Sequence, residues 1–508
     1  MRKLKEVIDL DCQFCASVGS DCAELVVTSI CEDSRKAIPG CMFAALPGFL
    51  ADGCMFIGDA ISRGARYILQ ESKNGGDYAE FDAASAVYFF YVQSVRRRWA
   101  QVAAKFFPSS FDRMVAVTGT DGKSSTVDFV RQIFAFAGLE FASIGTLGVI
   151  SSSGVSQKIA ENLTSPGSLE LHKILHELSN IGIRNIAMEA SSHGIVQDRM
   201  SAIKFDICAF SNLNHDHLDY HETRASYWAA KRRLFADIAD QATIFVINAD
   251  DPKAEDLRNI AAHRGNKLVD YGKNADNFKI VAVSAGDTNQ LVTMAVDGIE
   301  QAYVLPLFGE FQVYNAACAA AICYNLGLSL DCIVSALANL RCVPGRLELV
   351  ATIAAKMTGT ESSVHAMIFI DYAHTPEALR NVIISLRKHT QNRIITVFGC
   401  GGNRDQQKRA LMGTIAEKFS DIVIITDDNP RHEDPAEIRS MILAGCNKIG
   451  AGTVEIADRK CAITYAIDAL SSGDALLVVG KGHEIYQQVG DKLHRFSDRE
   501  VILNWVAK

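Results

Sequence analysis

No uninterrupted apolar run in the 508-residue chain approaches the roughly 20 residues of a membrane-spanning helix, so membrane insertion is not expected. Proline is scarce, at 10 residues, and no low-complexity tract occurs; with 48% hydrophobic residues this excludes a disordered chain. An excess of positive charge is also missing. The 51 Lys and Arg against 59 Asp and Glu give a formal net charge of −8, which argues against a general nucleic-acid binder. Met1-Arg2-Lys3-Leu4-Lys5 has the basic opening of a signal peptide without its apolar core, because Glu6, Asp9 and Asp11 interrupt it, and a cytoplasmic protein is the expectation. Cysteine is not lacking, but its 14 residues have no secretory context, and Cys12 and Cys15 form a lone C-x-x-C without a second pair. Buried thiols are expected, not disulfides or zinc.

What is present is an α/β pattern. Short apolar runs end in loops rich in Gly, Asp, Asn or Ser, with amphipathic stretches between them. One series comprises Met114 to Val117, Asn185 to Met188, Phe205 to Phe210 and Thr243 to Ile247; a second comprises Met367 to Ile370, Ile394 to Phe398, Ile422 to Ile425 and Ala475 to Val479. The first hundred residues differ, with Asp33-Ser34-Arg35 and Pro39-Gly40 reading as a polar turn between short strands. A chain of this length suggests about three domains of about 150 residues, and boundaries are expected near 105 and 345. No internal repeat is evident.

The most informative stretch is Met114-Val115-Ala116-Val117-Thr118-Gly119-Thr120-Asp121-Gly122-Lys123-Ser124-Ser125-Thr126, an apolar strand running into a glycine-lysine-serine turn. Glycines let backbone N–H groups approach phosphate oxygens, lysine brings a point charge, and the serine hydroxyl can hold Mg²⁺. Val127, Val130, Phe134 and Ala137 then recur at helical spacing. The spacing departs from the strict motif, since two residues instead of four separate Gly119 and Gly122, so an ordinary strand-to-helix turn is the competing reading.

In open α/β sheets ligands bind beyond the carboxyl ends of the strands, which groups Lys123 and Ser124 with Glu189, Asn212, Asn248 and Asp250 at one crevice. Glu189 suits either a hard cation or a helix cap. Asn214 to His221 packs three histidines and two aspartates into eight residues; it fits a metal or acid/base site as well as a solvated loop. Lys231, within an apparently helical run, reads as a surface lysine. In the second series Arg404, Arg431 and Glu484 lie just past strands, suited to a zwitterionic ligand or to surface ion pairs. Glycine flanking charge in Lys481-Gly482-His483-Glu484 favours close backbone approach to a ligand.

Taken together and in this order, these motifs resemble the Mur ligases of peptidoglycan synthesis over nearly the whole chain, including Ala230-Lys231, Gly345-Arg346, Asp371 to Pro376 and Asp428-Asn429-Pro430-Arg431; the shortened glycine loop is that family's usual form. The resemblance implies three domains: 1–105 binding a uridine nucleotide, 106–344 a central parallel-sheet ATPase of P-loop type, and 345–508 a Rossmann-like domain for an amino acid. It implies ATP and Mg²⁺ as cofactors, UDP-MurNAc-L-Ala-D-Glu and meso-diaminopimelate as substrates, an acyl-phosphate route to an amide, and a monomer. Gly119, Thr120, Asp121, Gly122, Lys123, Ser124, Ser125, Asn248, Asn315 and Arg346 would hold ATP. Ser34, Asn162, Thr164, Ser165, Ser191 and Arg199 would hold the UDP-sugar peptide. Arg404, Asp428, Asn429, Arg431, Gly480 and Glu484 would hold the amino acid, and Ser124, Glu189, His217 and a carbamylated Lys231 would face magnesium. Lys123, Lys231 and His217 would be catalytic. Departures from the family pattern include Asp121 in the loop, Ser165, Gln312 and Asn403. The alternatives are an L-lysine-adding Mur ligase, a ligase like folylpolyglutamate synthetase, against which the Asp33-Ser34-Arg35 region argues, and a nucleotide-binding regulator without catalysis.

Overall fold

The computed structural model of the chain describes residues 1–9, 24–48, 51–73, 77–157, 163–214, 218–353, 365–447 and 452–507. Three larger sheets succeed one another along the sequence. The first has five strands in the order Ile30–Cys31, Met42–Ala44, Tyr67–Glu71, Val87–Val92 and Tyr78–Asp82, parallel except for the last. The turn read between its first two strands is there, as a short 3₁₀ segment Ser34–Lys36 capped by the Asp33 carboxylate.

The second sheet has eleven strands. Its parallel part runs in the order Ala142–Gly145, Asn185–Glu189, Arg113–Thr118, Ile207–Phe210, Ile244–Asn248, Leu268–Gly272 and Phe278–Ala285. Strand residues alternate between two buried layers. Val115, Val117, Ala187, Ile207, Ala209 and Val246 face one core with helices Lys123–Phe136 and Glu310–Asn325. Met114, Ala116, Ile186, Met188, Cys208, Phe210, Phe245 and Ile247 face the other, with helices Ser168–Asn180 and Arg224–Arg233. Burial on both faces is why these strands read as unbroken apolar runs. From Arg113–Thr118 the chain first builds to one side and then crosses to Ile207–Phe210 on the other, a topological switch that opens a crevice at the strand ends. Antiparallel strands Gln290–Val296 and Ile299–Leu305 extend the sheet beyond Phe278–Ala285.

The third sheet has six strands, in the order Arg346–Ile353, Ala366–Asp371, Ala475–Val479, Ile394–Phe398, Ile422–Ile425 and Thr453–Glu455, all parallel after the antiparallel first. Its two faces fill separate cores, Phe369, Phe398, Ile425 and Leu477 on one and Ile370, Val397, Ile424 and Val478 on the other. Among the described residues no helix is long and apolar enough to cross a membrane.

Candidate functional site

The strand Arg113–Thr118 delivers the glycine loop into the crevice of the central sheet. Gly122 caps helix Lys123–Phe136 with φ +84°, and a Cβ there would stand 2.3 Å from Asn315 Oδ1. A Cβ on Gly119 would stand 1.8 Å from Ser211 Oγ. The loop is therefore closed in by the next strand's end and by helix Glu310–Asn325, which leaves little room for a side chain at either glycine. Lys123 Nζ donates to the Gly119 and Thr120 carbonyls at 2.9 and 2.8 Å, so the ammonium lies across the loop mouth. Asp121 faces the neighbouring loop: its N–H donates to Asn212 Oδ1 at 2.9 Å, and its carboxylate accepts from Asn214 Nδ2 at 2.8 Å.

Lys231 overturns the surface reading. It is 1% exposed, its Nζ donates to the Gly119 carbonyl at 2.7 Å, and it lies 4.3 Å from the centroid of the Tyr227 ring. The reason is tertiary: helix Arg224–Arg233 packs under the strand ends, and its last turn points this amine at the glycine loop. Tyr227 Oη in turn donates to Thr120 Oγ1 at 3.3 Å.

Glu189 is paired with Val117 in register, at the adjacent strand end, and is 2% exposed. Its Oε1 accepts from Thr146 N at 2.8 Å and its Oε2 from Thr146 Oγ1 at 3.4 Å; Thr146 Oγ1 also lies 3.1 Å from Thr164 Oγ1. The helix starting here is capped by Ser191, whose Oγ accepts from Gly194 N at 3.1 Å, so Glu189 is not the cap. Ser165 Oγ donates to the Glu189 carbonyl at 2.9 Å and lies 3.0 Å from Ser191 Oγ, while Arg199 reaches the Ser165 carbonyl. Thr164, Ser165, Glu189, Ser191 and Arg199 thus form one polar patch. Asn162 and His217 lie outside the described residues. Ser34, in the 3₁₀ segment between the first two strands, is buried and hydrogen-bonds Asp59, holding that carboxyl below the ordinary range.

Asn248 donates through Nδ2 to the Ser211 carbonyl at 2.8 Å, and Asn315 through Nδ2 to Gln312 Oε1 at 2.9 Å. Gln312 Nε2 continues to the Arg346 carbonyl at 2.9 Å. Arg346 Nη2 donates to Ser124 Oγ at 3.2 Å and its guanidinium lies 4.7 Å from the Tyr372 ring centroid, which ties the central loop to the third sheet. Arg346 Nε is buried without a partner, as is His483 Nδ1 nearby, so polar capacity remains beside this bridge. Asp371, beside Arg346, accepts from Leu347 N and Ala373 N; burial pushes its carboxyl up to about 6 against the opposing pull of Arg346 and those N–H groups.

The loops after the third sheet's strands interlock. Gly480, at φ +110°, passes so close to Asp428 that a Cβ would lie 2.7 Å from Oδ2. Asn429 Nδ2 donates to Glu484 Oε2 at 2.9 Å, and the fully buried Lys481 donates to Glu484 Oε2 at 3.0 Å and to Asn429 Oδ1 at 3.2 Å. Arg431 Nη1 donates to the Gly402 carbonyl at 2.8 Å, with burial and then Arg404 drawing its pKa down and Asp428 and Glu484 opposing them. Arg404 is exposed at the rim and contacts the Asn403 carbonyl. Cationic Arg404 and Arg431 lie near anionic Asp428 and Glu484, a cradle of both signs that is buried at Asp428 and exposed at Arg404. The supporting roles of Thr146 and of the Tyr227 ring went unread in the sequence, because each follows from tertiary packing and not from a local motif.

Residues 117–323 match the model of the Mur ligase middle domain, and residues 345–482 that of the Mur ligase, glutamate ligase domain. The UDP-N-acetylmuramoyl-L-alanyl-D-glutamate--2,6-diaminopimelate ligase of Agrobacterium fabrum (strain C58 / ATCC 33970) is 41% identical over 489 residues, 96% of this chain and 95% of that protein. The ligase of the same name from Brucella melitensis biotype 1 is 41% identical over 496 residues, 98% of this chain and 96% of its own. A solved structure of a ligase of that name superposes with a TM-score of 0.68 at 28% identity, over 100% of this chain and 99% of that one. A folylpolyglutamate synthase from Mycobacterium tuberculosis, complexed with ADP, shares the fold at 16% identity and a TM-score of 0.61 over 76% of this chain and 91% of its own. With glycine loop, buried lysine and two-signed cradle in one framework, the chain belongs to the Mur ligase family.

Proposed function

We propose that this enzyme is an ATP-dependent amide ligase that joins meso-diaminopimelate to the D-Glu γ-carboxylate of UDP-MurNAc-L-Ala-D-Glu, in peptidoglycan synthesis. The observation that supports the reading is the Arg346 bridge, whose guanidinium contacts Ser124 of the glycine loop and the Tyr372 ring, itself within the field of Glu484, Asp428 and Arg404. The names of the relatives at 41% identity point the same way. ATP as co-substrate brings a cytoplasmic location with it. We assign 1–105 to the uridine nucleotide, 106–344 to ATP and 345–508 to the amino acid.

The γ-carboxylate oxygen attacks the γ-phosphorus, the bond to ADP breaks, and the diaminopimelate amine then attacks the acyl carbon and expels phosphate. Little covalent work falls to the protein; orientation and charge stabilisation do most of it. The loop N–H groups and Lys123 receive the phosphates, with Gly119, Thr120, Asp121, Gly122, Ser124 and Ser125 shaping the cradle and Asn248, Asn315 and Arg346 around the nucleotide. Ser34, Asn162, Thr164, Ser165, Ser191 and Arg199 orient the UDP-sugar peptide. Arg404 and Arg431 take a carboxylate of the incoming amino acid and Asp428 and Glu484 its ammonium, with Asn429 and Gly480 shaping the pocket.

The buried Glu189 carboxylate and the Ser124 hydroxyl fit a hard cation by their oxygen chemistry, and His217 would join them. Magnesium bound there supplies charge neutralisation for the phosphoryl oxygens. A carbamate on Lys231 would turn a buried cation into an anion facing the same loop. Lys231→Ala is expected to abolish turnover, with partial rescue by an added small carboxylate such as formate standing in for the carbamate; unchanged activity removes the carbamate from the reading. The function itself is tested by phosphate release with purified protein, ATP and UDP-MurNAc-dipeptide: meso-diaminopimelate supports turnover and L-lysine does not, and the reverse pattern refutes it.

A further inference from the structure

One buried ion pair in the third sheet belongs to none of the groups assigned so far. Arg459, the first residue of helix Arg459–Asp468, and Asp498, the first of helix Asp498–Val506, meet with both side chains fully enclosed. The contact is a two-pronged fork, Nε to Oδ1 at 2.7 Å and Nη2 to Oδ2 at 2.7 Å. Burying such a pair is costly, and a well-packed apolar pair would often be as stable, so stability alone is a weak reason for it.

The remaining guanidinium hydrogens indicate what the pair does. Nη2 also donates to the Val479 carbonyl at 3.0 Å and Nη1 to the Asp427 carbonyl at 3.4 Å. Those carbonyls are the last ones before Gly480 and Asp428, where two separate strands release the two loops that form the amino-acid cradle. One planar group therefore sets the spacing between them, and Asp498 fixes the plane of that group. Asp428 and Glu484 both act electrostatically on the same guanidinium, so it also lies within the field of the cradle's anions.

We propose that Arg459, oriented by Asp498, is a positioning residue for the amino-acid site, holding the Asp428 and Gly480 loops at the separation that the diaminopimelate ammonium and carboxylate require. This rests on the functional reading above. Arg459→Lys keeps the charge but loses the fork; Asp498→Asn keeps the shape but loses the charge.

In steady-state phosphate release by the full chain, both variants are expected to raise KM for meso-diaminopimelate roughly tenfold or more, as misplacement of binding groups does, while KM for ATP stays within about twofold of wild type. Melting curves show whether each variant is folded. An unchanged KM for diaminopimelate in a folded variant, a parallel rise of both KM values, or failure of both variants to fold would make the pair purely structural and overturn the proposal. Wild-type protein that never turns over diaminopimelate refutes the functional reading and this inference together; normal wild-type turnover beside unchanged variants refutes the inference alone.

Discussion

Alanine at Gly122 incurs two penalties at one Cα: the left-handed backbone at φ +84°, costing about 1 kcal/mol or more, and a Cβ 2.3 Å from Asn315 Oδ1. Gly122→Ala is expected to lower the melting temperature and to cut phosphate release by at least about tenfold, since the loop N–H groups are displaced. Lys123→Ala leaves the backbone in place and removes only the cation; turnover is expected to fall on the order of a hundredfold or more with little change in melting temperature. A variant that keeps its turnover assigns Lys123 to loop structure, through its bonds to Gly119 and Thr120. The sequence carries the loop because its chemistry is local. Lys231 is different. Nothing in its neighbours marks it for burial, and the one local trace, Tyr227 four residues earlier and in contact with the amine, becomes meaningful only once the helix is docked.

At the scale of elements, strands buried on both faces are legible to within a residue or two: Ile394–Phe398, Ile422–Ile425 and Ala475–Val479 begin and end where their apolar runs do. The antiparallel extension Gln290–Val296 and Ile299–Leu305 escaped the reading because its outer side chains are exposed and its run is broken by polar residues. Its signal was the turn: Asp297 and Gly298, both at positive φ, join Val296 to Ile299 as a two-residue hairpin. Helix Ser168–Asn180 carries a prediction of its own. His172 is buried in it, Nε2 has no partner, and burial pushes its pKa down to about 4. Between pH 6.5 and about 4 the unfolded chain binds a proton there that the folded chain does not. Its contribution is therefore complete above pH 6.5 and is withdrawn as pH falls, by on the order of 1.4 kcal/mol per pH unit. His172→Leu should lose less melting temperature than wild type on going from pH 7 to pH 5; identical losses would assign the acid sensitivity elsewhere.

For the molecule as a whole, the second and third sheets meet at a second place besides Arg346. His389 Nδ1 lies 2.8 Å from the Gly286 carbonyl and its Nε2 accepts from Gly309 N at 3.4 Å, while Glu310 pairs with both Lys273 and Lys388. Two bonds worth about 1 kcal/mol each predict that His389→Ala, digested without substrates, releases a fragment beginning near Gly345 roughly thirtyfold faster than wild type; equal rates would mean that the Phe308 to Phe369 ring contact suffices. The glycine loop has a consequence for biosynthesis too. It is contiguous in sequence, but it is walled by Ser211 from one strand end and by Asn315 from a helix nearly two hundred positions downstream. A nascent chain emerging amino end first would hold the loop's residues long before the walls that shape it. Nucleotide recognition thus arrives as a late, cooperative event, and a truncated gene product ending before Asn315 should retain the motif without the capacity to bind.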